Sequence, residues 1–136
     1  MLERVAWITG ASTGIGHALA LRMAQDRWKI AASARSADKL EAMSRVSGGR
    51  IAAYPLDVTD EEGTVRVAEA IRTNESDIDL AVFAAGLHIP LDGSKFEVEP
   101  FRRLVEINLM GVVHGLAAVG PRMVERGSGH IAVVSS

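Results

Sequence analysis

Three glycines follow a short apolar run near the start of the chain. Residues 9–16 read TGASTGIG, directly after the strand-like run of residues 5–8, and a helical pattern begins at Ile15. Glycine permits positive φ and leaves no Cβ between the backbone and a ligand. N–H groups that open a helix also attract anions. The segment therefore predicts a pyrophosphate-binding turn, with a tight turn that binds nothing as the alternative. The residues expected at the pyrophosphate are Gly10, Ser12, Thr13, Gly14, Ile15 and Gly16.

Short apolar runs alternate with amphipathic segments along the rest of the chain. The apolar runs are nearly continuous, which is typical of parallel strands covered on both faces. Right-handed crossovers then give an α/β fold, a doubly wound parallel sheet of the Rossmann type in the order 3-2-1-4-5. Its ligand should lie beyond the carboxyl ends of strands one and four. The predicted strands are residues 4–8, 29–33, 50–55, 78–83 and 130–135.

Local signals predict where the helices begin and end. Ser36 is the predicted cap of the second helix. Residues 59–62 read TDEE, a capping-box pattern that predicts the start of the third. A longer helical region is expected to begin near residues 99–100, and Gly120-Pro121 predicts a break or kink in it.

Composition narrows the possible functions. The net charge of −2 gives no indication of nucleic-acid or anionic-membrane binding. The absence of cysteine excludes disulfides and thiolate metal sites, and the histidines show no metal-binding spacing. The longest largely apolar stretch, residues 107–120, looks too short to span a bilayer, and the first strand leaves no room for a signal peptide. We therefore expect one soluble cytoplasmic domain over residues 1–136, with no metal, membrane or nucleic acid.

The end of the second strand bears on cofactor choice. In a dinucleotide fold this edge meets the adenosine ribose, where an acidic residue would favour NAD and repel a 2′-phosphate. This chain has Ala34 and then Arg35, whose guanidinium can pair bidentately with a phosphate. The Ser36 hydroxyl could add a donor. The pattern favours NADP(H), and the alternative is that Arg35 is merely solvated.

The ends of the third and fourth strands carry two further candidates. Asp57 could accept a hydrogen bond from the adenine amino group, although an aspartate alone is more often a loop or cap residue. The small residues Ala84, Ala85 and Gly86 could let a cofactor lie against the backbone. The alternative for them is ordinary helix–sheet packing.

Together these positions resemble the short-chain dehydrogenase/reductase family in its compact form, and the resemblance covers the whole chain. TGASTGIG matches the family's TGxxxGIG motif, and Asp57-Val58 matches its adenine-contacting pair. Ala85-Gly86 matches the end of its NNAG motif, in which Phe83-Ala84 replace both asparagines. That replacement removes side-chain bonds that usually steady the central strand, while the backbone contact with the cofactor is retained.

The resemblance also implies two catalytic residues. Asn108 matches the family's active-site asparagine on a kinked fourth helix, where a bound water joins the proton relay. Ser136 matches the serine that ends the fifth strand and bonds the carbonyl oxygen. The family's Tyr-x-x-x-Lys motif, which supplies the proton, is absent from this sequence, and the single tyrosine, Tyr54, lies in the third strand.

The implied function is an NADP(H)-dependent oxidoreductase that interconverts a small alcohol and a carbonyl compound by hydride transfer. The family also implies a homodimer or homotetramer through helices four and five. A protein ending at Ser136 is expected to bind the adenosine and pyrophosphate weakly and to turn nothing over, since the C-terminal part of the fold would be absent. The alternatives are therefore a non-catalytic NADP-binding module and an inactive fragment.

Overall fold

The computed structural model describes residues 3–135 and contains a five-stranded parallel sheet. The strand order β3-β2-β1-β4-β5 confirms the predicted doubly wound arrangement. Ser136, the predicted catalytic serine, falls outside the described residues. The strands are β1 (Val5–Thr9), β2 (Lys29–Ser33), β3 (Ile51–Ala53), β4 (Leu80–Phe83) and β5 (His130–Val133).

Each predicted strand is present, with boundaries within two residues of those expected from the apolar runs. β1 is buried along its whole length because it pairs with β2 on one side and β4 on the other. β3 is the shortest and ends at Ala53. Pro55 follows two residues later, and a proline has no N–H to donate to a ladder.

Helices connect the strands, as parallel pairing requires. The predicted capping box at residues 59–62 is wrong by one residue. Asp60 caps the third helix, because its carboxylate accepts a hydrogen bond from the N–H of Gly63 at 2.9 Å. The Thr59 hydroxyl donates to Asp57 instead, at 2.8 Å. The helices are α1 (Gly14–Gln25), α2 (Ala37–Val46), α3 (Glu61–Asn74), α4 (Val98–Val105) and α5 (Gly111–Arg126), with a π-helical turn (Glu106–Met110) joining the last two.

α4, the π-helical turn and α5 form one continuous helix over Val98–Arg126. The predicted break at Gly120-Pro121 is therefore wrong. Pro121 removes the N–H that would bond to the carbonyl of Ala117, but both residues are exposed, so water can replace that donor. The irregularity lies instead at the π-helical turn.

This helix of 29 residues is long and apolar enough to cross a membrane by length and composition alone. The apolar stretch judged too short, residues 107–120, is thus part of a longer element. Core helices of soluble proteins pass the same test, and here Val119 and Met123 are buried against the sheet.

The core has two layers, one on each face of the sheet. On one face, side chains of α1 and α2 such as Ala20 and Leu40 pack against Ile30. On the other, Ile71 of α3 and Val119 of α5 pack with strand residues. The central contact of that layer is an edge-to-face pair of Trp7 and Phe83, with ring centroids 6.0 Å apart. Such pairs stabilise a core beyond the area that they bury.

A network of ion pairs ties α5 to the amino end of β4. The Arg122 guanidinium donates to both carboxylate oxygens of Asp77, at 2.9 and 3.0 Å. Arg126 donates to the carbonyl of Ile78 at 3.2 Å and lies 3.4 Å from Asp79. The Arg122 hydrogen bonds hold the pKa of Asp77 below its usual value, against the opposing effect of partial burial. This end of the sheet is therefore fixed by paired charges.

We predict that Asp77→Asn lowers the free energy of unfolding by about 1 kcal/mol at pH 7, because Arg122 loses its charged partner. The folded-state pKa of Asp77 is depressed, so its contribution is present above the unfolded pKa of about 3.9 and is lost as the pH falls through the folded value. The free energies of unfolding of the wild type and of Asp77→Asn, measured in urea, should therefore become equal in acid.

Asp26→Asn is the matched control, since Asp26 forms an exposed ion pair with Arg22 within a single helix. We expect its effect to stay within about 0.5 kcal/mol. An Asp77→Asn variant as stable as the wild type at pH 7 would contradict the proposed contribution of the network.

Candidate cofactor-binding and active site

The turn after β1 packs closely against the loop after β4. Gly10 has a φ of +64°, and a Cβ there would lie 2.6 Å from the nitrogen of Ala85 and 2.7 Å from backbone atoms of Ala84. The backbone angle and the lack of space both require glycine. The Thr9 hydroxyl accepts hydrogen bonds from the N–H groups of Ala84 and Ala85 at 3.2 and 3.4 Å. The two loops are thus joined where the winding direction of the sheet reverses.

The first turn of α1 offers bare backbone and free donors. Gly14 has a φ of +59°, and its missing Cβ faces open space. A Cβ at Gly16 would meet the carbonyl oxygen of Gly10, so this glycine permits close packing within the turn. The N-cap residue Thr13 makes no side-chain cap bond, which leaves the first N–H groups of the helix available to an anion. This geometry fits a pyrophosphate group.

An open cavity of about 1190 Å³ extends from this turn along the carboxyl ends of the strands to α4. Gly16 and Ser36 are the two predicted cofactor residues that do not line it. Gly16 packs inside the turn, and Ser36 caps α2 as expected, accepting from the N–H of Lys39 at 3.4 Å. The ten that line the cavity are Gly10, Ser12, Thr13, Gly14, Ile15, Arg35, Asp57, Val58, Ala85 and Gly86.

Asp57 presents a charged acceptor to the cavity. Its Oδ1 accepts from the N–H and the hydroxyl of Thr59, at 3.0 and 2.8 Å. The Thr59 N–H, assisted by the hydroxyl and by the nearby guanidinium groups of Arg35 and Arg103, holds the pKa of Asp57 below its usual value. The carboxylate is therefore ionised at neutral pH, and its second oxygen remains available to a donor such as an amino group.

Three arginines line the cavity; Arg102 pairs with Glu99, whereas Arg35 and Arg103 lie near Asp57. Arg35 follows β2, and Arg103 belongs to α4. Within residues 3–135 neither guanidinium lies within ion-pair distance of a carboxylate. Unpaired cations in a cavity suit an anionic ligand. Arg35 was predicted from the sequence, whereas Arg103 was not.

Asn108 lies in the π-helical turn and binds the loop after β4. Its Oδ1 accepts from the N–H of Leu87 at 2.7 Å, and its Nδ2 donates to the carbonyl of Leu87 at 2.8 Å. Asn108 does not itself line the cavity, but Leu87 does. The irregular helix expected around this asparagine is present, and the side chain acts here on the backbone of a cavity loop.

Tyr54 lies away from the cavity. Its hydroxyl donates to Glu75 at the end of α3, at 2.9 Å, and burial raises the pKa of the phenol. Lys29 at the start of β2 lies 3.6 Å from the same carboxylate. Tyr54 follows the last residue of β3, but Glu75 binds its hydroxyl and the side chain does not line the cavity, so it has no geometry for proton transfer there.

Sequence reasoning missed several residues that shape the site. Thr9 was read only as the first letter of the glycine motif, and its signal was a hydroxyl at the end of a buried strand. Arg103 appears in the sequence only as one of two adjacent basic residues. His88 follows β4 but does not line the cavity, although its neighbours Leu87 and Ile89 do.

Comparison with known proteins agrees with this geometry. The sequence model of the short chain dehydrogenases matches residues 4–136. The chain belongs to this family. The chain is similar to an uncharacterised oxidoreductase of Myxococcus xanthus. The two are 33% identical over 100% of this chain and 55% of that oxidoreductase.

Solved structures agree in fold. A short-chain dehydrogenase from Streptomyces avermitilis superposes with a TM-score of 0.92 at 30% identity, over 98% of this chain and 49% of that one. An actinorhodin polyketide ketoreductase solved with NADPH superposes with a TM-score of 0.91 at 26% identity, over 100% and 55%. This short-chain dehydrogenase thus spans about half the length of the relatives described here.

Two glycines of the turn allow a matched test of the contact between the loops. Gly14→Ala adds only the strain of a left-handed backbone, about 1 kcal/mol, because its Cβ would meet nothing. Gly10→Ala adds the same strain and a collision with the backbone of Ala84 and Ala85. We expect urea unfolding to show a loss of about 1 kcal/mol for the first and about 2–4 kcal/mol for the second. Equal losses would refute the close approach.

Proposed function

We propose that this chain forms the NADP(H)-binding part of an oxidoreductase that interconverts a small alcohol and a carbonyl compound by hydride transfer. The observation that carries the cofactor choice is Arg35, a cavity cation at the carboxyl end of β2 that has no carboxylate partner among the described residues. An acidic residue at this edge would bind the ribose hydroxyls of NAD. Here Ala34 precedes the arginine, so a 2′-phosphate meets a guanidinium and no nearby carboxylate on β2.

The other predicted residues are assigned to different parts of the cofactor. In this proposal, Gly10, Ser12, Thr13, Gly14, Ile15 and Gly16 provide the turn that binds the pyrophosphate. Asp57 and Val58 contact the adenine, while Ala85 and Gly86 contact the ribose edge. The NADPH present in the structure of the similar ketoreductase supports the choice of cofactor.

The catalytic step is proposed from the family. The bound nicotinamide would deliver hydride to the carbonyl carbon, or accept it in the reverse direction. Ser136 would bond the carbonyl oxygen, and Asn108 would position the backbone of Leu87 beside the cavity. The tyrosine that donates the proton, together with its lysine, is not among these 136 residues. We further propose a cytoplasmic location and, for the whole protein, a homodimer or homotetramer.

Cofactor choice is tested by Arg35→Ala. A charge-assisted phosphate contact contributes about 1.5–3 kcal/mol, so NADPH affinity should fall by about one to two orders of magnitude while NADH affinity changes little. Titration calorimetry with both cofactors measures this difference. Arg45→Ala removes an exposed arginine of α2 that does not line the cavity, and it should bind both as the wild type does. An Arg35→Ala variant that keeps its preference for NADPH would refute the assignment.

A non-catalytic NADP-binding module is the second candidate, favoured by the placement of Tyr54 outside the cavity. The two candidates differ in turnover. We expect the whole protein, including the tyrosine and lysine that these 136 residues lack, to consume NADPH when it is supplied with a panel of aldehydes and ketones, followed by the absorbance of the reduced nicotinamide. Binding of NADPH without consumption of any substrate in the panel would support the module instead.

A further inference from the structure

A buried histidine of α5 reaches the loop that follows β3. His114 is 8% exposed, and its Nδ1 lies 2.8 Å from the carbonyl oxygen of Val58. A carbonyl oxygen can only accept, so Nδ1 carries a proton and donates it. Within the described residues no other group donates to that carbonyl. The histidine therefore supplies the hydrogen bond that this loop carbonyl would otherwise lack.

A glycine one turn earlier in the same helix completes the contact. A Cβ at Gly111 would lie 2.7 Å from Cγ2 of Val58 and 3.1 Å from its Cβ. The Val58 side chain thus occupies the space that any other residue at position 111 would fill. One turn of helix consequently fixes both the backbone and the side chain of a residue that lines the cavity.

The same continuous helix also binds the opposite loop of the cavity. Asn108, inside the π-helical turn, makes two hydrogen bonds to the backbone of Leu87. Gly111 and His114 come soon after this turn in the chain, and both contact Val58. A π-helical turn bonds five residues back instead of four, and such turns occur often at functional sites. The helix therefore sets the distance between the loop after β3 and the loop after β4.

We propose that His114 is a positioning residue for the adenosine half of the cofactor. By holding the Val58 carbonyl, it keeps Asp57 and Val58 in the geometry that receives the adenine before the ligand arrives. A loop ordered in advance loses less conformational entropy on binding, which raises affinity without a new contact to the ligand. This inference rests on the proposed function, because it requires the cavity to bind an adenosine-containing cofactor.

The test compares three variants of the whole protein. His114→Leu removes the donor and keeps an apolar side chain of similar size. His114→Asn retains an N–H donor close to the Nδ1 position. His130→Leu is the matched control, since His130 is exposed at the start of β5, at the opposite end of the sheet. Titration calorimetry gives the Kd of each protein for NADPH and for adenosine 2′,5′-bisphosphate, which lacks the nicotinamide.

We expect His114→Leu to weaken both ligands by the same factor, about three- to tenfold, because the lost ordering acts on the part they share. His114→Asn should recover most of this loss, and His130→Leu should bind like the wild type. In turnover, the KM for NADPH should rise while kcat stays unchanged. Recovery by asparagine and the KM effect would distinguish positioning from a general loss of stability.

Several results would overturn the inference. Unchanged affinity in His114→Leu, loss for NADPH alone, or a fall in kcat without a change in KM would each do so. If His114→Leu does not fold, Gly111→Ala keeps the donor but displaces Val58, and it should weaken both ligands; wild-type affinity there would refute the proposal. Failure of the wild type to bind any nicotinamide dinucleotide would instead refute the proposed function.

Discussion

The contact between Gly10 and the backbone of Ala84 and Ala85 determines how the carboxyl end of the sheet is built. The strand order reverses between β1 and β4, and a crevice forms at such a point outside the carboxyl ends of the strands. Glycine allows the backbones to meet at distances that no Cβ would permit. Thr9 then supplies an acceptor for the two N–H groups that the β4 loop presents. In this chain the Thr9 side chain binds these N–H groups. The family's motif has asparagines nearby, at the positions of Phe83 and Ala84.

The long helix has an equally specific part in the site. Its buried residues complete one layer of the core, as in many α/β proteins, but its polar side chains act on loop backbone. Asn108 binds one wall of the cavity, and His114 binds the other. Both are polar groups in an apolar segment; His114 is buried and so needs a partner, whereas Asn108 is exposed and makes its hydrogen bonds at the surface. The partners that they find are groups of the two loops that no strand or helix had satisfied.

Charge is distributed differently at the two ends of the sheet. At the amino end, Arg122 and Arg126 are paired with Asp77 and Asp79, and their role is to hold α5 against β4. At the carboxyl end, Arg35 and Arg103 lie near the Asp57 carboxylate without an ion pair to it, while Arg102 pairs with Glu99. Paired charges contribute mainly to structure, whereas a guanidinium without a carboxylate partner can pair directly with an anionic ligand. In the proposed function, the same residue types thus serve stability at one end and recognition at the other.

Much of the fold followed from local patterns in the sequence. Continuous apolar runs predicted all five strands, and TGASTGIG predicted a helix N-terminus with bare backbone, because a strand and a turn each depend on neighbouring residues. The strand order followed from the rule of right-handed crossovers. The N-cap at Asp60 was missed by one residue, since Thr59 and Asp60 can both cap and only the bond to Asp57 distinguishes them. Pro121 did not break its helix, because Ala117, whose carbonyl loses the proline's N–H as a donor, is exposed and can bind water instead.

The sequence by itself determined the order of the elements and the glycine turn, and it carried the residues that we propose to bind a dinucleotide. Tertiary structure alone decided that Arg103 faces the cavity, that Asn108 holds Leu87, and that His114 reaches Val58. The physical reason is that these contacts join segments far apart in the chain. The partners of Asn108 and His114 are backbone groups, which every residue carries, so no side-chain pattern in the sequence marks these two contacts.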